Sequence, residues 1–114
     1  MAIWVIGEDL IFRTKIETAA GALGLTVHTT ADAVAPPTLA REAWALVLVD
    51  LTRSTGDPIA VVQAARREAP SARIIGYGSH VHAEMMTAAL HAGCTLVLPR
   101  SAFVQRLPAL LLGT

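Results

Sequence analysis

The chain has 114 residues, 54% of them hydrophobic, a length and composition that exclude disorder and lead us to expect one domain spanning residues 1–114. Nine Lys and Arg offset nine Asp and Glu, the longest basic cluster is the pair Arg66-Arg67, and aromatics make up 4%, so nucleic acid is not an expected partner. The longest apolar run, AWALVLV from Ala43 to Val49, is far shorter than the roughly twenty residues of a membrane span, and no membrane association is expected.

Continuous apolar runs alternate along the chain with segments of helical spacing. The first strand is predicted over Ile3 to Ile6 and is followed by Gly7 and two acids, Glu8 and Asp9. Leu10 to Leu23 then sets Ile16, Ala19, Ala20 and Leu23 on one helical face, with Gly24 as the stop. A second strand, Thr26 to Thr29, leads to a short helix predicted over Pro37 to Ala43, where the proline suits a first turn. The third strand, Ala45 to Val49, ends at Asp50. Asp57-Pro58 opens the helix IAVVQAARREA, which stops before Pro70. The fourth strand is Arg73 to Tyr77, the fourth helix His82 to Ala92, and the fifth strand Thr95 to Leu98. A fifth helix over Ala102 to Leu112 is expected to bend or divide at Pro108.

This βα alternation with right-handed crossovers predicts an α/β fold: a flavodoxin-like, doubly wound, five-stranded parallel sheet of order 2-1-3-4-5 with helices on both faces. Ligands of such sheets bind beyond the carboxyl ends of the strands. Glu8 and Asp9, Asp50, Gly78 and Ser79, and Pro99 and Arg100 therefore gather at one cleft, which is why acids interrupt an apolar run so abruptly in VIGED.

The stretches VIGEDLIFR, ALVLVDLTRSTGDP, RIIGYGSHVHAEMMTAALHAGC and TLVLPRSAF together resemble a response-regulator receiver domain (CheY-like), the phosphoacceptor module of bacterial two-component signalling. The resemblance covers essentially the whole chain. In that family, strand one ends in two acids that hold Mg²⁺, strand three in the phosphoacceptor aspartate, strand four in Thr or Ser, and strand five in Lys-Pro. It implies Asp50 as the phosphoacceptor, and Glu8, Asp50 and the backbone carbonyl of Thr52 as ligands of Mg²⁺. Gly78, Ser79 and Arg100 take the phosphate-binding positions. Departures from the pattern are Gly7 at the first acid, Gly78 at the Thr/Ser position, Arg100-Ser101 in place of Lys-Pro, and Val97 where strand five usually carries an aromatic.

Mg²⁺ takes one or two carboxylates and keeps several waters, so the loss of one acid leaves a weak site or none. Arg100 offers a planar fork where the family has a point charge, and Gly78 has no hydroxyl to follow a phosphoryl group. The expected function is a stand-alone receiver-like signal-transduction module, a pseudo-receiver and not an enzyme. It would act by protein–protein interaction in the cytoplasm with a degenerate phosphorylation site. Two alternatives stand beside it. One is a functional single-domain response regulator phosphorylated on Asp50 by a histidine kinase with Mg²⁺; the other is a small flavodoxin-like ligand binder. The expected partner is another signalling protein, a histidine kinase or an output protein, because no output segment follows Leu112. The face of the fourth helix, fifth strand and fifth helix is the candidate surface, including for a homodimer. His80 and His82 lack further ligands for a metal and are read as capping or solvated, and Cys94 as a small buried hydrophobe. Among the adjacent apolar residues Met85-Met86 and Leu110 to Leu112, some are expected to be exposed and to form an interface.

Overall fold

The structure, a computed structural model, describes residues 2–36, 39–54, 56–79 and 81–113. The elements are β1 (Ala2–Ile6), α1 (Leu10–Ala22), β2 (Val27–Thr30), β3 (Trp44–Asp50), α2 (Pro58–Glu68), β4 (Arg73–Gly78), α3 (Ala83–Ala92), β5 (Leu96–Pro99) and α4 (Arg100–Leu111). All strand pairs are parallel and the order is β2-β1-β3-β4-β5, as the alternation predicts. The central strands read as unbroken apolar runs because both of their faces are covered.

Alternate strand residues feed two cores. Ile3, Val5, Leu46, Leu48, Ile75 and Tyr77 pack against Phe12, Ile16 and Ala20 of α1 and Phe103, Leu107 and Leu110 of α4. On the opposite face Trp4, Ile6, Val47, Val49 and Ile74 pack against Val62 and Ala65 of α2 and Ala89 of α3. Trp4 and Trp44 lie with ring centroids 5.4 Å apart, and the Trp4 Nε1–H donates to Thr30 Oγ1 at 2.8 Å. The indole is thus buried without an orphaned donor.

Two expectations are corrected. The helix predicted over Pro37 to Ala43 is, over its described part, a single 3₁₀ turn at Arg41–Ala43; Pro37 and Thr38 lie outside the described residues. Ala40 is extended, and the few residues left before Trp44 starts β3 are too short a stretch to repay helix nucleation. The last helix does not divide at Pro108 and does not begin at Ala102: it starts at Arg100, directly after β5, and runs through Pro108 to Leu111. Pro108 is exposed, so the hydrogen bond it removes falls on the solvent side. Its own carbonyl still accepts from the Leu112 N–H at 3.1 Å. Leu110 and Leu111 are both buried, which leaves Leu112 as the exposed member of that trio.

The far side of the sheet is tied together by Arg66 at the end of α2. Its Nη1 donates to the carbonyls of Ala69, Pro70 and Ala72, and its Nη2 to that of Gly93 beyond α3. Nearby, Cys94 is buried against β4, and desolvation pushes its thiol up to about 11 despite the Gly76 backbone hydrogen bond and Arg66. A thiol that stays protonated and covered is a poor nucleophile. At pH 8 the native protein is expected to react with iodoacetamide at least ~100-fold more slowly than the urea-unfolded chain. Comparable rates would show that Cys94 is reactive in the fold.

Candidate functional site

Asp50 closes β3 at the carboxyl edge of the sheet, opposite Tyr77 on β4. It is 1% exposed and is the one charged residue among those described that is buried as a whole, backbone and side chain together. Neither carboxylate oxygen is idle. Oδ1 accepts from the Thr52 N–H at 2.9 Å, and Oδ2 lies 3.4 Å from Arg100 Nη2. Burial raises the carboxyl above the ordinary aspartate value; the Thr52 N–H and Arg100 oppose this, Asp9 adds to it, and Arg53 opposes it weakly. The desolvation penalty therefore outweighs the favourable contacts.

Arg100 reaches the cleft because α4 begins without a loop after β5. It is shared between Asp50 and Asp9, 3.7 Å from Asp9 Oδ2, and its guanidinium carbon sits 4.7 Å from the centroid of the Phe12 ring. Asp9 also caps α1, accepting from the Phe12 N–H at 3.1 Å, the ordinary use of an acid at a helix start. Of the two acids in VIGED, then, one serves the helix and flanks the cleft.

The other, Glu8, faces the opposite wall. Its Oε1 lies 3.2 Å from Arg53 Nη2, and its Oε2 accepts from Ser54 Oγ at 2.6 Å. Arg53 also pairs with Asp32 Oδ1 at 2.7 Å and donates to the Ala31 carbonyl at 2.9 Å. Glu8 and Asp50 thus follow the paired strands β1 and β3, and each is held by a different arginine.

The two glycine departures have steric counterparts. A Cβ at Gly7 would stand 3.1 Å from Asp50 Cβ and 3.8 Å from its Oδ2, so the absent first acid leaves room into which Asp50 packs. A Cβ at Gly78 would stand 2.8 Å from Thr52 Oγ1. That hydroxyl already accepts from the Ser79 N–H at 3.0 Å and lies 3.3 Å from Ser79 Oγ. Thr52 Oγ1, with Val81 Cγ2 at 3.3 Å, fills the place of a side chain at Gly78. Beside them Tyr77 joins a three-ring cluster with Phe12 and Phe103, whose centroids lie 4.9 and 4.2 Å from its own and 5.8 Å from each other, and burial next to Asp50 holds its hydroxyl far above the usual tyrosine range. An aromatic wall does line this cleft, but β4 supplies it; Val97, at the position where the family carries its aromatic, is buried in the opposite core.

A receiver cleft implies a divalent cation, and these residues do not fit one. Both Glu8 oxygens face Arg53 and Ser54, both Asp50 oxygens face Thr52 and Arg100, and no group of three or more His, Cys, Asp or Glu among the described residues is arranged to hold an ion. Of the residues expected at the cleft, Glu8, Asp50, Thr52, Gly78, Ser79 and Arg100 do converge there. His80 lies outside the described residues; His82 begins α3 without a side-chain capping bond. Arg53, Asp32 and Tyr77 were not anticipated. Nothing local marks an arginine three residues after Asp50 as a cleft residue, because its partners come from two other loops.

No family model matches the sequence, and no curated protein matches it. The fold, however, is that of CheY-like response-regulator receiver domains. A response regulator from Burkholderia pseudomallei, solved with a phosphorylated aspartic acid, a calcium ion and citrate, superposes with a TM-score of 0.77 at 18% identity over 96% of this chain, which spans 65% of that one. A CheY-like receiver domain protein from Methanospirillum hungatei JF-1 superposes at 0.75 with 16% identity, covering 96% of this chain and 92% of the other. A pilus-assembly candidate (cpaE) from Burkholderia thailandensis E264 superposes at 0.76 with 19% identity, covering 97% and 94%. No helix among the described residues is long and apolar enough to cross a membrane.

Proposed function

We propose that residues 1–114 form one receiver-like signalling domain, located in the cytoplasm, that acts through protein contacts rather than through phosphoryl transfer. The observation that carries this reading is the setting of Asp50: a phosphoacceptor needs an oxygen open to the donor, whereas this carboxyl is buried, is raised above the ordinary aspartate value by desolvation and has both oxygens engaged. Phosphoryl transfer also needs charge stabilisation at the transferred group, and the cations present here are bound to acids. Gly78 has no hydroxyl and Tyr77 is packed against Phe12 and Phe103, so neither is placed to follow a phosphoryl group. The likeness to a pilus-assembly protein candidate suits a fold used outside ordinary response regulators. The partner would be another signalling protein, meeting the face of α3, β5 and α4, where Leu90 and Leu112 are 44% and 57% exposed; a second copy of the chain is one such partner.

A second reading, a response regulator phosphorylated on Asp50 by a histidine kinase, draws on the likeness to a protein solved with a phosphorylated aspartic acid and on the cation Arg100 beside Asp50. Intact mass after incubation with acetyl phosphate and Mg²⁺ at neutral pH separates the two, with Asp50→Ala in parallel. We expect no phosphate-sized gain. A gain that disappears in the variant would establish the second reading and end the first.

A further inference from the structure

Three loops meet at the mouth of the cleft on one guanidinium. Arg53 comes from a surface loop, yet its side chain is 2% exposed. Burial of a charge is unfavourable unless acceptors surround it, and here they do. The Ala31 carbonyl lies 2.9 Å from Nη1, Asp32 Oδ1 2.7 Å from Nη2, and Glu8 Oε1 3.2 Å from the same nitrogen. Ser54, the next residue, donates to the remaining Glu8 oxygen at 2.6 Å. Glu8 belongs to the loop after β1, Ala31 and Asp32 to the loop after β2, and Arg53 and Ser54 to the loop after β3. A planar fork with several fixed donors suits such a junction, where an ammonium or a hydrated ion would not.

We propose that Arg53 is the resident cation of this cleft. It occupies Glu8, the acid that a divalent ion would need, and fastens the three loops in one arrangement that does not depend on metal. The inference rests on the receiver-like reading of the cleft and deepens it, because it explains why the cleft does not take a divalent ion. For Mg²⁺ or Mn²⁺ to reach Glu8, the ion would have to displace a buried guanidinium and then lie beside it. Mg²⁺, which gives up its waters reluctantly, gains least from that exchange.

The test compares the full chain with Arg53→Gln and with the double variant Glu8→Gln/Arg53→Gln, by thermal melting with Mg²⁺ and by electron paramagnetic titration with Mn²⁺. The wild-type melting temperature is expected to move by less than about 1 °C in millimolar ion, with no Mn²⁺ bound. Arg53→Gln should melt lower without ion, bind Mn²⁺, and recover about 5 °C once the ion is ~10-fold above its Kd. The double variant should lose that gain. Mn²⁺ binding by the wild type, or a folded Arg53→Gln that gains none, would overturn the proposal. Should the glutamine variant not fold, Arg53→Met keeps the buried volume and carries the same expectation. Failure here is separable from failure of the interaction reading: Mn²⁺ binding by the wild type sinks only this proposal, and phosphate uptake in metal-free buffer sinks only the other.

Discussion

Arg66→Ala is expected to lower the unfolding free energy by about 2–4 kcal/mol. One guanidinium donates to four carbonyls, those of Ala69, Pro70, Ala72 and Gly93. Three of them belong to the turn between α2 and β4, and the fourth to the turn between α3 and β5. Truncation leaves those carbonyls to find water at a partly buried seam and lets the ends of α2 and α3 separate. Hydrogen bonds with a charged donor are the stronger kind, and a chain of this size turns such a loss into a fall in melting temperature of roughly 8–15 °C. Arg66→Lys should recover only part, since an ammonium cannot fork across both turns. Gly93 gives an internal control. It has φ 136°, and a Cβ there would meet Arg66 Cβ at 3.0 Å, so Gly93→Ala carries both backbone strain and a clash. In the Arg66→Ala background the contacts with Cγ and Nε, each 3.1 Å, are gone while that with Cβ stays, so the glycine substitution should cost somewhat less than in the wild type. Urea unfolding of the four proteins decides it; an Arg66→Ala loss below about 1 kcal/mol would mean that water replaces the clamp without penalty.

Asp50→Asn works in the opposite direction and is expected to stabilise the fold at neutral pH by on the order of 1 kcal/mol. The Asp50 carboxyl is raised above its ordinary value chiefly by desolvation. In the window between the ordinary and the raised value the native state holds a proton that the unfolded chain has released, so this group's contribution to stability declines as pH rises through that window. Below the ordinary aspartate value of about 3.9 the penalty is absent; above the raised value it is complete. Asparagine has no charge to desolvate and keeps an oxygen for the Thr52 N–H, while Arg100 retains Asp9. The difference in melting temperature between variant and wild type should thus be small near pH 3.5 and should grow as pH rises through that window. A variant less stable than wild type at pH 7 would mean that the Arg100 pair outweighs burial and that the Asp50 carboxylate is stabilised in the fold.

Much of the cleft can be read from the sequence because strand ends are local features. An apolar run such as AIWVI or ALVLV has to be buried on both faces, and the first polar residue after it must stand at the edge of the sheet. That reasoning places Glu8, Asp50, Gly78 and Arg100 at one edge, and the βα alternation with right-handed crossovers predicts the order β2-β1-β3-β4-β5 that the sheet adopts. The helix over Pro37 to Ala43 failed for a reason the spacing does not express, since Trp44 enters β3 and the core at once and leaves too few residues for a helical turn to propagate. Pro108 misled for the converse reason. A proline near a helix end removes one bond, and the packing of Leu107, Leu110 and Leu111 outweighs it.

By itself the sequence determined which side chains stand at the strand ends and which faces of the helices are apolar, because periodicity and alternation act over a few neighbouring residues. Only the tertiary structure decided what those side chains do. Arg53 meets Glu8 and Asp32 from other loops, Thr52 fills the space beside Gly78, Tyr77 takes the aromatic wall from Val97, and Arg66 spans two turns. Each of these depends on groups 21 or more residues apart, such as Arg53 and Asp32, being brought within a few ångströms. Charge pairing and close packing act on distance in space, and that distance is set once the sheet has closed over both cores.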